Sequence, residues 1–97
     1  MQIQLASQMD GVPSVTIESH QLPVSLGRSI HADVTIPDAL LSRTHCELTA
    51  TDDGVAIRDL ESTNGTLVNG RSVTEAVLKP NDTVILGTAH FVCDINT

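Results

Sequence analysis

An all-β fold, a two-sheet sandwich of short and mainly antiparallel strands, is predicted for this 97-residue sequence by three observations. Apolar residues recur with a period of two along several short segments, as on strands with one buried face. Turn-forming residues separate those segments roughly every eight to twelve positions, the rhythm of sandwiches. No stretch repeats apolar side chains at i, i+3, i+4 and i+7 over three turns, so no amphipathic helix is expected.

The elements follow in order. Val15 and Ile17 share one face of the first clear segment, and Leu22, Val24 and Leu26 share one face of the next. Asp52-Asp53-Gly54 joins residues 46–50 to 55–59, a hairpin signature. Within the second of those arms Val55 and Ile57 point one way, Ala56 and Arg58 the other. Asn64-Gly65 and Asn69-Gly70 mark two further turns, because Asn and Gly tolerate positive φ. Pro80-Asn81-Asp82 breaks the chain before residues 83–86, and Gly87-Thr88 turns it into a last strand. There Phe91, Cys93 and Ile95 alternate with His90, Val92 and Asp94. Without a repeat, a low-complexity tract or a linker, residues 1–97 read as one domain.

Composition narrows the function. At 40% hydrophobic residues the chain exceeds the range of disordered segments, and its length permits burial of roughly 65% of the unfolded surface. Five Lys+Arg stand against twelve Asp+Glu, a net charge of −7. That balance argues against nucleic acid and membrane surfaces as partners. No apolar run approaches the roughly 20 residues of a membrane span. The start MQIQLASQMD lacks a basic and then apolar leader, so a cytoplasmic location is expected. Cys46 and Cys93 then read as two reduced, buried thiols.

Sharper chemistries fit less well. His45-Cys46 and His90 with Cys93 could suggest zinc, but neither has the spacing of a structural zinc site. No metal or cofactor is expected. Serine near histidine lacks a nucleophile elbow, and the Gly-containing turns lack the lysine of a phosphate-binding nucleotide loop. No enzyme is expected. Asn64-Gly65-Thr66 and Asn81-Asp82-Thr83 match glycosylation acceptors, which a cytoplasmic chain would not present to that machinery.

The polar residues gather in loops. Gly27-Arg28-Ser29 ends one strand, Ser42-Arg43-Thr44-His45 precedes another, and residues 59–66 with Asn69-Gly70 link two more. Arg, Ser, Thr and Asn in three loops are donors of the kind an oxyanion needs. Gly27-Arg28, Ser42-Arg43-Thr44-His45 and the run from Ser62 to Gly70, in this order, resemble the signature of the forkhead-associated (FHA) domain. Asp59-Leu60, Leu78-Lys79-Pro80-Asn81-Asp82 and Ile85-Leu86-Gly87 match its flanks, and the resemblance extends from Val24 to Val92.

The resemblance implies a sandwich whose loops at one end bind phosphothreonine in an extended peptide. Arg28, Ser42 and Thr63 would meet the phosphate; Arg43 and Asn64 would meet the rest of the peptide. His45 would brace the loops from within, and Gly27, Gly65, Asn69 and Gly70 would set their shape. The partner would be a phosphothreonine-containing protein or peptide, read by a signalling adaptor that is a monomer or a module of a larger protein. A phosphate-independent scaffold that uses a sheet face is the alternative. Relatives favouring an acidic residue three positions after the phosphothreonine often carry a basic side chain before the Ser-Arg block. Here that stretch reads Asp38-Ala39-Leu40-Leu41, so an aliphatic residue is expected instead. Leu67 stands where many relatives have an aromatic.

Overall fold

The structure, a computed structural model, describes residues 1–96. These form eleven strands: β1 (Gln2–Ser7), β2 (Val15–Glu18), β3 (Val24–Gly27), β4 (Val34–Thr35), β5 (Cys46–Thr51), β6 (Gly54–Asp59), β7 (Thr66–Val68), β8 (Arg71–Ser72), β9 (Glu75–Leu78), β10 (Thr83–Leu86) and β11 (Ala89–Asn96). One sheet has the order β2-β1-β11-β10-β7-β8 and the other β4-β3-β5-β6-β9. Every pairing is antiparallel except β3 with β4. The helical element among the described residues is one turn of 3-10 helix at Ser19–Gln21. None of their helices is long and apolar enough to cross a membrane.

Alternation builds the core. Leu26, Leu48 and Ile57 from one sheet and Leu5, Val84 and Phe91 from the other are buried, each stabilising the fold by about 1.5–3 kcal/mol. Cys46 and Cys93 are free and buried. Burial pushes the Cys93 thiol up to about 11, with Asp82 and Asp94 adding to the shift; burial and then Asp59 raise Cys46 as well. Both are packing groups in their neutral form. His90 is exposed while Cys93 points into the core, and no three metal-ligating side chains converge among the described residues.

Hairpins place the loops. The β5–β6 turn is Asp52-Asp53, with Thr51 opposite Gly54, and Gly87-Thr88 closes β10 on β11. The ends of β3 and β6 and the start of β5 lie together, because Leu26 pairs with Cys46 and Cys46 with Asp59. The loops leaving these strands therefore share one rim. Leu22 differs from its sequence reading: β3 starts at Val24, after a cis Leu22-Pro23 bond, and Leu22 is only half-buried.

Candidate functional site

Three loops form a polar cleft of about 480 Å³ at this rim, lined by Arg28, Ser42, Arg43, Thr44, Thr63 and Asn64, together with residues 39–41. Backbone contact comes first. Arg28 N–H donates to the Ser42 carbonyl at 3.0 Å, and Ser29 N–H to the Arg43 carbonyl at 3.1 Å. Gly27 lies so close to this segment that a Cβ there would sit 2.0 Å from the Arg43 oxygen. Only glycine fits.

His45 fixes the middle loop. Ser42 N–H donates to His45 Nδ1 at 3.0 Å, so that nitrogen carries no proton. The proton is on Nε2, which donates to the Gly65 carbonyl at 2.7 Å. One fully buried imidazole thus ties the second loop to the third. Ser42 Oγ accepts Thr63 N–H at 2.9 Å, which leaves its hydroxyl proton available to a ligand.

Two carboxylates hold the loop backbones. Asp59 accepts Thr66 Oγ1–H at 2.8 Å, Ser62 N–H at 3.1 Å and the Ser62 hydroxyl. Ser62 Oγ in turn accepts Gly65 N–H at 3.0 Å, and Gly65 has φ +84°. Asp38 accepts Leu40 N–H at 2.8 Å, Thr88 N–H at 3.2 Å and the Thr88 hydroxyl. Burial opposes ionisation of both acids, but these donated bonds outweigh it and hold each below its ordinary value.

The cations in the cleft stand free of carboxylates. Arg58 with Glu47 is the one ion pair among the described residues. Arg28 donates through Nε to the Leu41 carbonyl at 3.1 Å; this aims the guanidinium and leaves its outer N–H groups available. Arg43 is exposed beside it. Asn64 Nδ2 donates to the Leu40 carbonyl at 2.7 Å, so its side-chain carbonyl is the group left for a ligand. A pair of guanidiniums and several hydroxyls in one solvent-open cleft can hold a multiply charged oxyanion.

Of the residues singled out from sequence, Arg28, Ser42, Arg43, Thr63 and Asn64 meet at the cleft, and Gly27, His45 and Gly65 sit beneath it. Asn69 and Gly70 do not. They form the β7–β8 turn, where Asn69 bonds to Asp82 and Thr83. Sequence reading named Asp38 and Ser62 without giving either a role in holding the loops, and passed over the carbonyls of Leu40 and Leu41. The Asp38–Thr88 bond spans 50 residues, and backbone acceptors carry no side-chain signal.

Comparison with known proteins fits this geometry. The family model described as "FHA domain" matches residues 24–87. The ABC transporter ATP-binding/permease protein Rv1747 of Mycobacterium tuberculosis is 44% identical over 69 residues, covering 71% of this chain and 8% of that protein. The glycogen accumulation regulator GarA of the same organism is 35% identical over 72 residues, covering 74% of this chain and 44% of GarA. The chain therefore spans less than half the length of either relative. Among solved structures, one from a study of phosphothreonine-dependent FHA domain interactions superposes with a TM-score of 0.88 at 26% identity, covering 100% of this chain and 99% of that one. The FHA domain of CT664 from Chlamydia trachomatis gives 0.86 at 27% identity with both chains fully covered. The FhaA FHA domain, solved with the intracellular domain of Rv3910, gives 0.83 at 27% identity, covering 95% and 99%. With its sheet order, its cleft and a match through most of its length, this chain belongs to the FHA domain family.

Proposed function

We propose that residues 1–97 act as one phosphothreonine-dependent protein-binding module, a signalling adaptor that docks an extended phosphopeptide on its loops. The observation that carries this reading is the pair of carboxylate-free guanidiniums, Arg28 and Arg43, beside the hydroxyls of Ser42 and Thr63. Two of the five basic residues of a −7 chain are concentrated there. A phosphothreonine brings about −1.5 to −2 charge and three acceptor oxygens.

Each residue has a role. Arg28 forks onto the phosphate, the Ser42 hydroxyl donates its proton to a second oxygen, and Thr63 completes the shell. Arg43 adds local positive potential at the rim. The Asn64 carbonyl accepts a main-chain N–H of the peptide, which favours an extended ligand. A bond to a charged group contributes about 1.5–3 kcal/mol, so two or three supply much of the roughly −8 kcal/mol of a micromolar complex. The module acts by binding rather than catalysis, on the cytoplasmic side of a larger protein or alone. The two buried free thiols support a reducing compartment.

The test is an affinity capture from lysate, split into phosphatase-treated and untreated halves and read by mass spectrometry. Partners captured from the untreated half and lost after treatment support the reading. The same partners recovered from both halves favour the phosphate-independent scaffold.

A further inference from the structure

β9 is an edge strand with β6 on one side and no strand on the other. Its outward backbone groups follow from register. The Thr51–Gly54 pair closes β5 on β6, so residues 54, 56 and 58 bond towards β5, and 55, 57 and 59 towards β9. Asp59 N–H donating to the Thr74 carbonyl at 2.9 Å agrees. Residues 76 and 78 are thus spent on β6, whereas the N–H and C=O of Glu75 and Val77 face away from the sheet.

The other edges are short or blunted within the strand, whereas on β9 the side-chain block falls at Lys79, one residue past its end. β4 and β8 have two residues each, and on β2 the Glu18 N–H is taken by the Gln21 side chain. Exposed, unblunted edges invite pairing with another chain. The outward positions of β9, with the residue that follows the strand, read Glu75, Val77, Lys79: acid, apolar, base, all exposed, with Val77 36% exposed.

That order is its own complement. We propose that two copies of this chain pair antiparallel along β9 about a twofold axis at Val77. Reciprocal Val77 N–H to C=O bonds form at the centre. Glu75 of each copy lies opposite the Lys79 ammonium of the other, giving two cross-strand ion pairs. Lys79 N–H is held by Asp82 Oδ2 at 2.8 Å, which ends the shared ladder there and limits its length. The contact extends over the flanking clefts, which hold Val73 and Ala76 on one side and Met1 and Ile95 on the other and share Val77 and Lys79. Because each copy carries −7, this local charge match is what offsets long-range repulsion. No residue of the polar cleft between Arg28 and Asn64 lies on β9, so both polar clefts stay open in the pair, which becomes a bivalent unit.

Sedimentation velocity from micromolar to millimolar concentration tests this with wild-type chain, Glu75→Lys, Lys79→Glu and the double reversal. Wild type is expected to shift towards the dimer as concentration rises. Either single reversal should weaken association about tenfold or more, and the double reversal should restore it. A wild type that stays monomeric throughout overturns the proposal, as does a double reversal no better than the singles.

Discussion

Two Asn-Gly turns five residues apart do opposite work. Asn69 spends its whole side chain on the fold: Nδ2 donates to Asp82 at 2.9 Å, and Oδ1 accepts from Thr83 N–H at 2.9 Å and its hydroxyl at 3.2 Å. Asn64 commits only Nδ2, to Leu40, and keeps its carbonyl at the rim of the cleft. A side chain with every hydrogen-bonding group satisfied inside the chain stabilises it. One with a group left over on an otherwise pinned loop is prepared for a ligand. The same contrast separates Arg58, paired with Glu47, from Arg28, aimed by one backbone carbonyl.

The largest effect that would break the contrast comes from beneath the cleft. Gly27→Ala places a carbon 2.0 Å from the Arg43 oxygen and 2.7 Å from its carbonyl carbon, which neither backbone can absorb. We expect a loss of about 1–3 kcal/mol or more in unfolding free energy, with phosphopeptide binding lost alongside, read by thermal melts and calorimetry. Arg28→Ala comes next. It should weaken phosphopeptide affinity by about 1.5–3 kcal/mol, or roughly tenfold to a hundredfold, with little change in melting temperature.

The Asn pair sharpens the contrast directly. Asn69→Ala strands acceptor and donor groups on Asp82 and Thr83 and should cost about 1–2 kcal/mol of stability without moving affinity. Asn64→Ala should weaken affinity by about 1 kcal/mol and lower the melt less than Asn69→Ala does, since it removes one bond to the fold, to Leu40, rather than three. Equal effects of the two substitutions on both readouts would remove the distinction.

The smallest effect is acid sensitivity. Asp38 and Asp59 have folded-state pKa values lowered from the ordinary carboxylate value. Their contribution is present above the unfolded-state value and is lost as pH falls through the folded one. The contribution of these two carboxylates should be constant near neutrality and decline below about pH 4, and Asp38→Asn should flatten part of that decline in melts recorded against pH.

Much of this organisation was legible beforehand. Alternation of Val55 with Ile57 and of Phe91 with Cys93, broken by Asp52-Asp53-Gly54 and Gly87-Thr88, marked β6, β11 and their turns. β1 and β9 escaped notice. In β1 the apolar residues are only Ile3, Leu5 and Ala6 among Gln and Ser, and in β9 Ala76 gives a weak inward signal. Their pairing is decided by neighbours distant in sequence. In the cleft the side chains could be named because motif order survives in sequence, but the groups that aim them could not. Asn69-Gly70 shared the motif and not the cleft, since sequence adjacency does not tell which end of a strand a turn caps.

Phosphate is what the cleft reads. The most direct test is calorimetric titration of wild-type chain with one threonine peptide in phosphorylated and unmodified form, and of Arg28→Ala with the former. Binding confined to the phosphorylated peptide and wild-type protein is the predicted result; equal affinity for both forms would contradict it.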